Sequence, residues 1–188
     1  LNADSRQVYH EMTIGTAKPT AGEMANVKHY FVDDRSITQA WSAGQFEREA
    51  LAVLESEFEH HELSILSGGS GLYIDALCYG LNSFPEVDDN IRTSLMNRLA
   101  KEGAPSLYAD LEKVDPAYAR QTERQNSQRI VRALEIYHSS GKKYSELRTG
   151  MNSIREFELL FIGLERDRDE LYQRINLRMD KMINEGLF

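Results

Sequence analysis

Leu63-Ser64-Ile65-Leu66-Ser67-Gly68-Gly69-Ser70-Gly71-Leu72-Tyr73-Ile74-Asp75-Ala76-Leu77-Cys78-Tyr79-Gly80 decides the fold class. Leu63–Ser67 reads as a short strand. Gly68–Gly71 turns it into a helix over Leu72–Tyr79, and Gly80 closes that helix. Strand, glycine turn and helix make a βα unit, the building block of a parallel sheet covered by helices. The expected class is therefore α/β. Amides at that helix start can cradle a phosphate or diphosphate, although tight turns need glycine in any case. Cys78 falls on the helix as a small buried apolar residue.

Upstream, Asn2-Ala3-Asp4-Ser5-Arg6-Gln7-Val8-Tyr9 and Ile14-Gly15-Thr16-Ala17-Lys18-Pro19 crowd a carboxylate, hydroxyls, an arginine, an amide and a lysine into a segment poor in core-forming residues. A carboxylate among hydrogen-bonding groups can take up a proton as a general base, and a nearby cation can hold an anionic leaving group. The same residues also suit a polar connection in which Asp4 caps a helix and the Gly-Thr and Lys-Pro pairs make turns. Ala21–Arg35 reads as a loop with Tyr30-Phe31-Val32 as a candidate strand. Ser42-Ala43-Gly44-Gln45 reads as a capping box before a helix with Phe46, Ala50, Val53 or Leu54, and Phe58 on its apolar face. His60 and His61 have no third ligand nearby and read as solvent-exposed.

Beyond Phe84 the texture turns helical. Ile91, Leu95 and Leu99 mark one helix stopped by Gly103, and Leu107, Leu111 and Val114 a second ended by Asp115-Pro116. Tyr118 and Arg120 lie in a third; Ile130, Ala133, Leu134 and Tyr137 line a fourth ended by Gly141. Phe157–Gly163 returns as a strand, and Asp167–Glu185 follows as an amphipathic helix with Leu171, Ile175, Met179 and Met182 inward. The expected organisation is an α/β core over 1–87 and 156–188, with an all-helical subdomain inserted at 88–155.

The bulk numbers narrow the partners. A formal net charge of -8 gives no global attraction to nucleic acid, so any RNA contact needs a local basic patch. Arg120, Arg124, Arg129 and Arg132 supply one, and Gln128 shares a helix face with Arg132. A solvated helix face is the plain alternative. Arg174, Arg178 and Lys181 make a second basic stripe on the last helix. The single cysteine excludes an internal disulfide and a cysteine-rich zinc site, which suits a reducing cytoplasm. There is no long apolar run for a bilayer, and no Gly-x-x-x-x-Gly-Lys-Ser/Thr phosphate loop.

Asp4-Ser5-Arg6-Gln7-Val8-Tyr9 followed by Ile14-Gly15-Thr16-Ala17-Lys18-Pro19 resembles the signature of the tRNA dimethylallyltransferases, also called tRNA isopentenyltransferases. Gly68-Gly69-Ser70-Gly71-Leu72-Tyr73, with Leu81 after Gly80, is similar to a second family segment in which threonine is usual where Ser70 stands. Gln128-Arg129-Ile130-Val131-Arg132 is similar to a third, which meets the tRNA.

The resemblance implies a P-loop-NTPase-like parallel sheet. It also implies transfer of a dimethylallyl group from dimethylallyl diphosphate to N6 of the adenosine 3′ of the tRNA anticodon. By family position Asp4 is the general base, Ser70 lies at the reacting centre, Thr16 and Lys18 lie near the diphosphate, and Arg178 lies on it. Asp4, Ser5, Arg6, Gln7, Arg92, Gln128, Arg129, Ile130, Val131 and Arg132 face the tRNA anticodon stem-loop. Magnesium is the implied cofactor, with its phosphate-loop ligand absent from this chain. A cytoplasmic monomer without membrane contact is expected, as the observed portion of a longer enzyme. Three alternatives stay open: an adenylate isopentenyltransferase acting on free nucleotide, a small-molecule kinase of the same fold class, and a non-catalytic RNA-binding module.

Overall fold

The computed structural model describes residues 1–148, 150 and 153–187. The chain divides into two compact units, Leu1–Gly80 with Asn152–Phe188, and Leu81–Met151. Among the described residues no helix is long and apolar enough to cross a membrane.

In the first unit a single turn of 3-10 helix at Ile14–Thr16 precedes α1 (Ala21–Met24), α2 (Ala43–Phe58) and α3 (Gly71–Tyr79). The core forms where Phe46 of α2 meets Tyr73 of α3, their rings stacked at 4.7 Å, with Phe31 edge-on to Phe46 at 5.2 Å. Burying such rings contributes more than area alone, because ring edges meet ring faces favourably. The full capping box lies at α1, where Thr20 Oγ1 accepts from the Glu23 amide at 3.3 Å and the Glu23 carboxylate accepts from the Thr20 amide at 2.8 Å. At Ser42 only half of the expected box forms, since Gln45 turns its Oε1 to the Ser42 hydroxyl.

The sheet read from the sequence does not form among the described residues. What exists there is two isolated parallel bridges, one between Tyr9 and Arg35 and one within a short pairing of Leu1–Ala3 with Ile65–Ser67. Leu1 N donates to Ile65 O at 2.7 Å, Ser67 N to Leu1 O at 3.1 Å and Ala3 N to Ser67 O at 2.6 Å, around one parallel bridge, Asn2 to Ser67. Phe157–Gly163 has no ladder partner there, and without neighbouring strands to satisfy its amides an extended segment is not a sheet strand. Tyr30-Phe31-Val32 is not a strand either, because Phe31 (φ 63°) and Asp33 (φ 53°) sit in the left-handed region that breaks an extended run. The turn they make drops Phe31 into the core.

Arg155 fastens the later segment of this unit. Its guanidinium donates to the carbonyls of Leu77 (2.8 Å) and Ala76 (2.7 Å) in the last turn of α3 and pairs with Glu47 at 2.7 Å. A cation on the carbonyls of a helix C-terminus is favoured by the dipole, and here it gives Leu77 O a donor while Ala76 O also accepts the Gly80 amide.

Among the described residues the elements of the second unit are all helices: α4 (Asp89–Glu102), α5 (Ala104–Val114), α6 (Pro116–Ala119), α7 (Ser127–Ser140) and α8 (Tyr144–Leu147). Leu95, Leu107, Leu111, Ile130 and Leu134 form its core. Asp115 is buried yet satisfied: it caps α6 through the Tyr118 amide at 3.0 Å and accepts from Ser145 N at 2.8 Å and Oγ at 2.7 Å. Back in the first unit, α9 (Arg168–Asn184) is capped by Asp167. Of its apolar stripe only Met182 is buried, and Leu171, Ile175 and Met179 are exposed, so the inward face read from periodicity is not covered by described residues.

Candidate active site

Asp4 opens a tight turn. Its Oδ1 accepts the amides of Arg6 at 2.8 Å and Gln7 at 3.2 Å, while among the described residues Oδ2 takes no hydrogen bond. The turn-making role occupies one oxygen and leaves the other open among the described residues. Ser70 holds the turn from the other side. It stands at the N-cap of α3 but makes no side-chain cap; its hydroxyl accepts the Ser5 amide at 2.9 Å, and its own amide donates to Ala3 O at 3.0 Å. The approach is close enough that a Cβ on Gly68 would lie 2.4 Å from the Ala3 carbonyl carbon, so only glycine fits.

Gln7 ties this turn to the next motif. Its side-chain amide donates to Thr16 O (3.0 Å) and Ala17 O (3.2 Å), and its Oε1 accepts from Asn2 Nδ2 at 3.1 Å. Those bonds engage the amide within the protein, where the sequence reading turned it to RNA. Lys18 reaches back to Tyr9 O and to Asp33 Oδ1, both at 2.6 Å, and its side chain is only 10% exposed. The ammonium pulls the Asp33 carboxyl below its usual range, chiefly by this hydrogen bond. Thr16 turns its hydroxyl inward to Met12 O and Thr13 O.

Lys18 and Arg178 line one cavity of about 480 Å³, with Thr13, Thr20, Lys181 and Glu185 also on its wall. Arg178 is exposed and, among the described residues, pairs with no carboxylate. Of the three diphosphate candidates it is therefore the one with its charge and donors free. Ser5 is half-buried beside Asp4, and Arg6 is exposed.

In the helical unit Gln128 and Arg129 are exposed, whereas Ile130 and Val131 are buried in the core. The surface expected of the whole five-residue segment narrows to Gln128, Arg129 and Arg132, because an α-helix cannot present five successive side chains to one side. Arg92 and Arg132 both pair with Glu135, at 3.2 Å and 3.4 Å.

The IPP transferase family model matches residues 7–188. This chain belongs to the IPP transferase family. A tRNA dimethylallyltransferase 1 of Bacteroides fragilis is 44% identical over the whole chain, which spans 62% of that relative's length. The corresponding protein of Bacteroides thetaiotaomicron is also 44% identical, and the chain spans 61% of it. Among solved structures, the full-length tRNA isopentenylpyrophosphate transferase of Bacillus halodurans is 36% identical with a TM-score of 0.58, over 99% of this chain and 57% of that one. A eukaryotic dimethylallyltransferase, solved acting on tRNA, is 26% identical with a TM-score of 0.75, over 98% and 46%.

Four residues that organise this IPP transferase chain escaped the sequence reading: Asp33, Glu47, Glu135 and Arg155. Each acts across a long separation or from inside an apolar run, where spacing gives no signal. Magnesium usually keeps waters and takes oxygens from a bound phosphate, so it asks for no dedicated protein cage. Among the described residues no three His, Cys, Asp or Glu side chains converge on a point where a metal could sit. The paired His60 and His61 are exposed.

Proposed function

We propose that the chain carries the reacting centre and part of the RNA grip of a tRNA dimethylallyltransferase, which moves a dimethylallyl group from dimethylallyl diphosphate to N6 of the adenosine 3′ of the anticodon. The observation behind this reading is the state of Asp4, with one oxygen pinned by two amides and the other open. The names of the relatives support it. The N6 amine is a poor nucleophile because its lone pair is delocalised into the ring. As the carbon–nitrogen bond forms and the allylic carbon–oxygen bond breaks, Asp4 Oδ2 takes the proton and the electron pair leaves with diphosphate.

Ser70 and Gln7 keep the base in place, and Arg178, backed by Lys18, meets the departing anion. The adenosine must leave its stack to reach the carboxylate. Gln128, Arg129, Arg132 and Arg92 face the anticodon stem-loop. No step here runs through magnesium, which family likeness alone implies. Two further proposals are a parallel sheet, whose start is the pairing of Leu1–Ala3 with Ile65–Ser67, and action as a monomer.

Full-length enzyme incubated with tRNA and labelled dimethylallyl diphosphate should yield a prenylated adenosine in the tRNA. Label on free AMP and never on tRNA would instead mark an adenylate isopentenyltransferase.

A further inference from the structure

We propose that Glu135 is a positioning residue which holds Arg92 and Arg132, from two different helices, as a preformed guanidinium fork for RNA phosphate. The inference rests on the RNA-binding role given to the helical unit above. Glu135 lies on α7 with only 1% of its side chain exposed, while Arg92 in the first turn of α4 is 61% exposed and Arg132 on α7 is 43% exposed. A buried carboxylate normally needs its charge matched close by. Here each oxygen meets a different arginine: Oε1 lies 3.2 Å from Arg92 Nη1 and Oε2 lies 3.4 Å from Arg132 Nη1.

The Arg132 contact is a long hydrogen bond, beyond the roughly 2.7–2.9 Å of a strong charge-assisted one, while the Arg92 contact is an ion pair only, because Oε1 accepts no hydrogen bond among the described residues. Both arginine side chains remain partly exposed beyond the carboxylate. Phe84 supports Arg132 from beneath, with the guanidinium carbon 5.8 Å from the ring centre. Two cations on one carboxylate leave one positive charge uncompensated at an exposed spot, in a chain whose formal net charge is -8.

A phosphate is the ligand such a pair fits, because two oriented guanidiniums present parallel donors to its oxygens. A fixed pair also loses less side-chain freedom on binding than two free arginines would. Apart from these two contacts the Glu135 carboxylate accepts nothing among the described residues, so holding the fork is the task its contacts define.

The sign of the charge change separates positioning from bulk electrostatics. Glu135→Gln keeps the shape and removes a negative charge from an RNA-binding unit, so general electrostatics predicts tighter binding. Positioning predicts the reverse. With full-length enzyme and an anticodon stem-loop hairpin, titrated at several salt concentrations, Glu135→Gln should weaken binding roughly tenfold. In an Arg92→Ala/Arg132→Ala background the same change should add nothing.

Unchanged or tighter binding by Glu135→Gln overturns the inference. So does an equal loss in the double-arginine background, because the effect would then be general disruption of the helical unit. If Glu135→Gln fails to fold, Glu135→Asp keeps the charge but draws the oxygens back, and wild-type affinity in that variant is equally fatal. Should the double-arginine variant itself bind the hairpin as tightly as wild type, with the same salt slope, the RNA reading of this unit fails along with the inference.

Discussion

The hydroxyl of Ser70 accepts the amide hydrogen of Ser5 at 2.9 Å, although Ser70 stands where a helix would use that hydroxyl for its own amides. The first turn of α3 forgoes its cap, and the turn carrying Asp4 gains an anchor. Ser70→Ala should cost about 1 kcal/mol of stability for the lost hydrogen bond. It should also lower turnover more than it raises the KM for dimethylallyl diphosphate, since what is lost is the placement of the base. Ser70→Thr keeps the oxygen and should retain most of the activity. Thermal melts with steady-state kinetics check both, and an alanine variant with wild-type turnover would remove Ser70 from the reacting centre.

Asp4→Asn separates the two oxygens of one carboxyl group. The amide oxygen can still accept from Arg6 and Gln7, so the turn should survive. Only proton uptake is lost. Turnover is expected to fall about 10²–10⁴-fold, the usual span for general base catalysis, with tRNA affinity nearly unchanged. Measured by single-turnover kinetics beside a binding titration, a loss confined to affinity would make Asp4 an RNA contact and no base.

Lys18 and Asp33 give a pH dependence with a definite sign. The hydrogen bond from Lys18 depresses the Asp33 carboxyl, so the folded value lies below the unfolded one. The stabilisation is then present in full above the ordinary aspartate range and disappears as pH falls through the lower folded value, below about pH 4. Asp33→Asn is a clean comparison, because Asp33 sits at φ 53° and asparagine tolerates that region. The gap in melting temperature between wild type and Asp33→Asn should be open at pH 6 and narrow progressively as pH falls below about 4. A gap that persists at the acid end would place its origin outside the ion pair.

Residues whose partners lie within one helical turn were legible from sequence. Gly103 and Gly141 end α4 and α7 where a residue of positive φ was needed, and Leu95, Leu107, Leu111 and Ile130 fall on the core side as their spacing requires. The spacing of α4, α5 and α7 could therefore be read from the sequence, while α8 carries no such signal. Strands were harder to read. Leu63–Ser67 meets one partner, Leu1–Ala3, at a single parallel bridge, and Phe157–Gly163 meets none among the described residues; a strand exists only through its neighbours, and composition does not supply them. Phe31 misled for a third reason: an apolar trio looks extended until a left-handed residue turns it into a corner. At the site, the chemical types at Asp4, Ser70, Lys18 and Arg178 were visible. That Lys18 is already engaged by an aspartate was not, because Asp33 lies fifteen residues away in a loop without periodicity.

The segment Gln128–Arg132 allows packing and recognition to be pulled apart within five residues. Ile130 is fully buried, so Ile130→Ala should cost about 2–5 kcal/mol of stability through lost contacts and the cavity left behind. The folded fraction of that variant should bind tRNA with an unchanged salt slope, since no charge has moved. Arg129 is exposed, so Arg129→Ala should leave the melting temperature close to wild type, whereas adding Arg132→Ala should lower it, because Arg132 partners the buried Glu135. Their loss should weaken tRNA binding and flatten its salt dependence by roughly one counterion per phosphate contact removed. Affinity for dimethylallyl diphosphate should hold, because Lys18 and Arg178 belong to the other unit of the chain. Binding titrations of full-length enzyme at several salt concentrations, beside thermal melts, decide it. An unchanged slope in the arginine variant would mean that these side chains only solvate α7 and that the RNA lies elsewhere.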